Sequence, residues 1–134
     1  MPFSLVDFPN LHPGNYRITG PADETYNCIA WAAGIDSAPW EPVSASGHYT
    51  TTALIDAMQS VGFVPCADGS LEDGVEKIAI YTDVHEYMHA ARQLDSGKWT
   101  SKMGKGERIE HDTPQDLAGP AYGQVTAFMK RPRT

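Results

Sequence analysis

Apolar residues recur at helical spacing between Thr50 and Val61, and Gly62 follows as a stop. This pattern predicts a helix over 50–61 with one buried face. A shorter helix is predicted between Asp23 and Gly34, because acidic residues and a threonine favour a helix start and glycine favours its end.

Strands are predicted in the second half of the chain, where β-branched, aromatic and alternating residues are bounded by turn residues. The predicted strands span 63–66, 77–81, 89–94, 98–103 and 122–130. Pro65 restricts the first of them to a sheet edge, and Asp95-Ser96-Gly97 predicts a hairpin turn between 89–94 and 98–103. Thr113-Pro114 predicts a short helix start.

Residues 1–24, interrupted by four prolines, are expected to form an extended lead-in. Helices followed by an antiparallel sheet indicate an α+β fold, and 134 residues suit one domain, 1–134.

The charge is acidic overall but uneven along the chain. The formal net charge is −7, with 12 acidic and two basic residues before residue 91 and five acidic and eight basic residues after it. An acidic total argues against nucleic acid as the main partner. No segment is long and apolar enough to cross a membrane, and the N-terminus has no secretory signal pattern, so we expect a cytoplasmic protein without a membrane partner, although export as an effector stays open.

The two cysteines, Cys28 and Cys66, are too few for a disulfide framework, and Cys28 is a candidate nucleophile. It falls at the predicted start of a helix, where backbone N–H groups lower a thiol pKa and can hold an oxyanion, with help from the Asn27 side chain. His89 opens a predicted strand and is the candidate general base. In the predicted hairpin, Ser101 lies beside His89 on the same face and would orient its imidazole. The alternative for Cys28 is an ordinary buried core thiol.

Several sequence words support this interpretation when they are taken in order. They are Tyr26–Gly34, Glu76–Tyr81, His89–Leu94, Trp99–Gly104, Ile109–His111, Tyr122-Gly123 and Lys130–Pro132. In this order they resemble a family of small bacterial proteins that in turn looks like the papain-like group, including the NlpC-type cell-wall cysteine peptidases. The resemblance implies a papain-like α+β fold with N-terminal helices packed on an antiparallel sheet, and a Cys28–His89–Ser101 site. The serine departs from the usual third residue of that group. Residues in these words that would border a substrate cleft are Trp31, Arg92, Gln93, Trp99 and Lys102.

A metal site is the rival interpretation. His85-Glu86-Tyr87-Met88-His89 matches H-E-x-x-H, which on a helix would bind zinc through both histidines, with His111 as a third ligand. The segment follows one predicted strand and opens another, which argues against the helix that the motif needs.

The favoured hypothesis is therefore acyl transfer at a peptide, protein or small amide, without a cofactor. Cys28 would attack, His89 would carry the proton and Asn27 would help to hold the oxyanion. A third class is a non-catalytic binding or immunity-like module with a protein partner. A toxin or effector role is compatible with each of these functions.

Overall fold

The computed structural model describes residues 3–84 and 86–133, and an antiparallel sheet of seven strands organises them. In chain order the strands are β1 (Tyr16–Gly20), β2 (Val64–Cys66), β3 (Val75–Thr82), β4 (Tyr87–Gln93), β5 (Trp99–Lys102), β6 (Arg108–His111) and β7 (Gln124–Pro132). The helices are α1 (Cys28–Ala32), α2 (Thr51–Ser60) and a 3-10 turn, Pro114–Leu117. Across the sheet the order is β1-β6-β5-β4-β3-β7-β2.

The predicted α+β papain-like arrangement, with N-terminal helices packed on a sheet, is wrong. The protein is mainly β: the two α-helices contain 5 and 10 residues, and β1 precedes both of them. Residues 1–24 are more than a lead-in, because they contain β1 and the buried side chains of Phe8 and Leu11. The β1–β6 pair was not predicted.

The local elements, in contrast, agree closely with those predicted from the sequence. Thr50 caps α2 by accepting a hydrogen bond from the Ala53 N–H, and Gly62 follows with a φ of 98°. β2 lies at the sheet edge, as Pro65 requires, and pairs with β7. The predicted hairpin forms between β4 and β5, and the 3-10 turn begins at Pro114.

The sheet is buried on both faces, which explains the almost continuous apolar run in β3. One face, here called the helix-covered face, carries Ile78, Ile80 and Ala90 against α1 and α2. The opposite face is covered by the N-terminal segment and the 3-10 turn. Its buried residues include Ala79, Tyr81, Ala91, Trp99, Ile109, Phe8, Leu11 and Leu117.

Two side chains fix the helices on the sheet. Arg131 of β7 donates hydrogen bonds to the carbonyls of Val61 (2.9 Å) and Ala33 (3.0 Å), and so satisfies the C-terminal ends of both helices. Trp31 of α1 donates to the Thr100 hydroxyl of β5 at 2.9 Å, while the Arg92 and Arg108 guanidiniums lie over its ring. These contacts set the position of the first residue of α1, which is Cys28. Over residues 3–84 and 86–133, no helix is long and apolar enough to cross a membrane.

Candidate functional site

Cys28 is the first residue of α1, as predicted, and Asn27 is its N-cap. The Asn27 Oδ1 accepts hydrogen bonds from the N–H groups of Ala30 (3.0 Å) and Trp40 (3.1 Å), and its Nδ2 donates to the Trp40 carbonyl at 3.0 Å. The Asn27 amide is thus committed to holding the helix start against the following loop. Its role at an oxyanion stays a prediction.

The Cys28 thiol faces main-chain N–H groups from two elements. Hydrogen bonds from the backbone of Ala90, Ile29 and Cys28 itself favour the thiolate, and the Lys102 ammonium acts in the same direction. Burial outweighs all of them and raises the pKa of Cys28 to about 11. This direction is opposite to the one expected from a helix N-terminus, because α1 is little more than one turn long and the thiol is packed against β4.

An open cavity of about 230 Å³ lies in front of Cys28. Its wall combines the thiol with two carboxylates, two phenol rings and apolar surface. The lining residues are Asn27, Cys28, Ile29, Glu41, Tyr49, Glu86, Tyr87 and Met88. The Tyr87 hydroxyl donates to the Pro42 carbonyl at 2.6 Å, which ties the 35–49 loop to β4.

His89 is fully buried and belongs to a chain of hydrogen bonds that crosses three strands. Its Nε2 lies 3.0 Å from the Ser101 Oγ, which lies 2.8 Å from the His111 Nε2. The His111 Nδ1 lies 2.8 Å from the Thr113 carbonyl oxygen. Burial lowers the pKa of both imidazoles, that of His89 well below its ordinary value, so both rings are neutral at pH 7. The predicted adjacency of Ser101 and His89 is confirmed.

Two tyrosines hold the His89 ring. The Tyr122 ring is stacked on it, with centroids 4.2 Å apart and planes 5° apart, and Tyr81 contacts it edge to face at 5.2 Å. The Tyr81 hydroxyl in turn donates to the Pro114 carbonyl. The His89 imidazole is therefore fixed in plane as well as in position. Its Nδ1 is buried and has no hydrogen-bond partner within the described part of the chain.

Cys28 and His89 approach the same place in the sheet from opposite faces. Cys28 packs on the helix-covered face, whereas His89 pairs with Tyr81 and projects from the other face. β4 and β5 pair at Arg92 with Thr100 and at Gln93 with Trp99, and this pairing does not extend to Ala90. The Ala90 main-chain N–H lowers the pKa of the Cys28 thiol, and burial, together with the nearby Cys28, raises the pKa of the Tyr122 phenol that covers His89.

The residues predicted to border a substrate cleft are packed into the fold. Gln93 donates to the Gly69 carbonyl at 2.7 Å, Lys102 donates to the carbonyls of Asp23 (2.6 Å) and Gly104 (2.7 Å), and Trp99 packs near Phe128. Trp31 and Arg92 stack on each other, as described above. None of these five side chains lines the cavity at Cys28.

The helix that the H-E-x-x-H zinc motif requires does not form at His89. His85 lies outside the described residues, and His89 belongs to strand β4 instead of a helix. His111 lies near His89, but both rings bond to Ser101. Within residues 3–84 and 86–133, no three histidine, cysteine, aspartate or glutamate side chains are grouped to hold a metal ion.

Two residues around His89 were not predicted to lie there: His111, which was named only as an alternative zinc ligand, and Tyr122. Both lie in sequence words that carry the family resemblance, Ile109–His111 and Tyr122-Gly123, but neither has a local pattern that points to His89. Their positions depend on the β5–β6 pairing and on the loop before β7.

The raised thiol pKa predicts slow alkylation of Cys28 by iodoacetamide at pH 7. A pKa of about 11 leaves a thiolate fraction on the order of one in ten thousand, and the rate should rise about tenfold per pH unit up to about pH 10. Peptide mass spectrometry of the same sample would measure both cysteines, with Cys66 as the internal reference. Alkylation of Cys28 at neutral pH as fast as that of a free thiol would contradict this expectation.

Comparison with known proteins identifies the family of this chain. No curated protein and no solved structure matches the chain. The model of a domain of unknown function, DUF7689, matches residues 17–130, which include α1, both helix caps and the whole of the Cys28, His89, Ser101 and His111 region. The chain therefore belongs to the DUF7689 family.

Proposed function

We propose that this protein is a cysteine-dependent acyl-transfer enzyme that acts on an amide or an ester, with Cys28 as the nucleophile. One observation carries the proposal. The Cys28 thiol lies on the wall of an open cavity, faces the main-chain N–H groups of Ile29 and Ala90, and meets β4 directly after His89. A nucleophile and donors for an oxyanion thus lie at the cavity, and the neutral His89 imidazole lies on the opposite face of β4, one residue before Ala90.

The protonation states favour a general-base mechanism over a preformed ion pair. Because burial keeps both the thiol and the His89 imidazole neutral, the proton would leave Cys28 as its sulfur attacks the carbonyl carbon. His89 would accept this proton and return it to the departing amine or alcohol. The acyl group would then be bound to sulfur as a thioester, and water or an amine would release it. This step requires the sulfur to approach the His89 Nδ1 through the open part of the β4–β5 ladder.

The cavity restricts the class of acyl donor. Glu41 and Glu86 lie on its wall, and Tyr49 and Tyr87 meet edge to face at 5.9 Å. Carboxylates repel an anionic substrate, whereas phenol rings and carboxylates accommodate a neutral or cationic one. A peptide, a protein side chain or a small amide without negative charge near the scissile bond therefore fits best.

Acylation by p-nitrophenyl acetate tests the proposal without knowledge of the natural substrate. We expect release of one equivalent of p-nitrophenol per chain and a matching acetyl mass on Cys28. Cys28→Ala should abolish the adduct, and Cys66→Ala, the matched control, should retain it. His89→Gln should slow acylation by about 10²- to 10⁴-fold, the usual contribution of general-base catalysis.

The outcomes separate catalysis from simple thiol chemistry. An acetyl group found on Cys66, or a Cys28 adduct whose rate does not change in His89→Gln, would overturn the proposal. Measurement of the far-ultraviolet circular dichroism of each variant would show that the fold is retained.

A non-catalytic binding domain is the second candidate, and the raised pKa of Cys28 favours it. In that case the cavity would hold a neutral or cationic group of a partner and the thiol would serve as packing surface. Binding would then survive Cys28→Ala, whereas acyl transfer would not.

A further inference from the structure

The hydrogen-bond chain that ends at Thr113 has a fixed direction, because the Thr113 carbonyl oxygen can only accept a hydrogen bond. The Thr113 carbonyl oxygen lies 2.8 Å from the His111 Nδ1, so this nitrogen must carry a hydrogen and donate it. Thr113 itself is held by Asp116, whose carboxylate accepts from the Thr113 N–H (2.9 Å) and hydroxyl (3.0 Å). Asn15 also donates to Asp116, at 3.1 Å. The carbonyl is therefore a rigid anchor.

The donor and acceptor roles at His111 determine those at His89 through one hydroxyl group. A neutral His111 with hydrogen on Nδ1 has a bare Nε2, so the Ser101 hydroxyl donates its single hydrogen to that atom at 2.8 Å. Ser101 can then only accept from the other side. The His89 Nε2, 3.0 Å away, must be the donor. A neutral His89 with hydrogen on Nε2 has a bare Nδ1.

We propose that His111 is a positioning residue that selects the tautomer of His89 and makes Nδ1, and not Nε2, the basic atom of the site. The geometry supports this in two further ways. The His89 Nδ1 is buried without a hydrogen-bond partner in the described part of the chain, so this nitrogen is free to accept a proton. The stacked Tyr122 ring opposes a 180° turn of the imidazole about χ2, which would put Cε1 in the place of Nε2 and break the bond to Ser101.

The catalytic meaning of this tautomer rests on the proposed acyl transfer. In that reaction the Cys28 proton would move to the His89 Nδ1, while the Nε2 hydrogen stays in place and donates to Ser101. No proton leaves along the chain, and the imidazolium is stabilised by the oriented hydroxyl. Serine suffices as third residue because His111 fixes the direction of its hydrogen.

Nitrogen NMR of the histidine side chains tests the assignment without any substrate. In the wild-type protein at pH 7.5, we expect a protonated Nε2 and a bare Nδ1 for His89, and the opposite pattern for His111. His111→Leu removes the acceptor of the Ser101 hydrogen, so the hydroxyl can donate to His89. The Nδ1-protonated form of His89 should then appear. His111→Gln places an amide oxygen near the former Nε2 and should restore the wild-type tautomer.

The wild-type spectrum alone decides against the proposal if His89 carries its hydrogen on Nδ1. An unchanged His89 tautomer in a folded His111→Leu protein would also overturn the role of His111. If that variant does not fold, Ser101→Ala breaks the same chain with a smaller change and should mix the two tautomers. The expected tautomer without acylation of Cys28 would refute the proposed function and leave this inference standing.

Discussion

Replacement of Gly123 by alanine is expected to destabilise the protein by about 3 kcal/mol or more, and in the extreme to prevent folding. Gly123 has a φ of 77°, and a Cβ at this position would lie 2.0 Å from the Thr82 carbonyl oxygen and 2.6 Å from its carbon. Because the obstacle is main chain, no side-chain rotation can relieve the contact. Either the end of β3 or the loop before β7 must move.

The same substitution is expected to disturb the site. Gly123 and Gly119 exchange two main-chain hydrogen bonds, of 2.7 Å and 2.9 Å, and this bridge holds Tyr122 against His89. Chemical denaturation followed by circular dichroism would give the loss in unfolding free energy. The aromatic ring-current shifts of His89 would report whether Tyr122 still stacks on it.

Gly74→Ala is the matched control for Gly123→Ala. Gly74 has a similar φ of 71°, but a Cβ there meets no atom within 4 Å. Its cost is therefore the backbone strain alone, about 1–2 kcal/mol. The difference between the two variants isolates the clash with Thr82. Equal losses would show that the close approach of Gly123 to β3 is not important for stability.

The elements that the sequence predicts correctly are those with local signals. Thr50 caps α2 where that helix was predicted to begin, and Gly97 marks the hairpin turn. α1 lies within the predicted segment but begins later than the acidic residues indicated, after its N-cap Asn27. From the hairpin turn alone the pairing of β4 with β5 follows, and with it the contact of His89 with Ser101. Such features depend on neighbours a few residues away, which a pattern along the chain contains.

The β1–β6 pair and the thiol pKa depend on distant residues and were not predicted. β1 pairs with β6, whose residues follow some ninety positions later, and β1 is a mostly exposed edge strand. The α+β assignment failed because these strands were missed and the helices are short. The pKa of Cys28 has the unexpected direction because β4 buries it from the other half of the chain. Whether Cys28 and His89 react together stays a prediction.

Acid is expected to destabilise the protein through the two buried histidines. Burial lowers the pKa of His89 and His111 in the folded state, whereas both titrate near 6.5 in the unfolded chain. Below pH 6.5 the unfolded chain binds more protons, so the unfolding free energy falls with pH. The stabilisation is complete above pH 6.5 and is lost as the pH falls toward the folded-state pKa values. Each histidine contributes at most about 1.4 kcal/mol per pH unit, so the two together lower the unfolding free energy at pH 4.5 by at most about 5–6 kcal/mol.

The groups around each ring determine how the loss divides. His89 faces Tyr81, Tyr122 and the neutral His111, and none of these can compensate a positive charge. For His111, the Thr113 carbonyl and the carboxylates of Asp116, Asp112 and Glu110 oppose the effect of burial. His89 should therefore account for the larger part. The lowered carboxylate pKa values, such as that of Asp68 at about 2, belong to a more acidic range.

Urea unfolding at several pH values between 7.5 and 4.5 would separate these contributions. His89→Phe keeps an aromatic ring against Tyr122, and it leaves Ser101 its donor bond to His111, so the variant should remain folded at pH 7.5. Its unfolding free energy should fall less steeply toward pH 4.5 than that of the wild type. His48→Gln, at an exposed position, should keep the wild-type slope. An equal slope in His89→Phe and wild type would assign the acid sensitivity to other groups, and the neutral, buried His89 that both proposals require would lose its support.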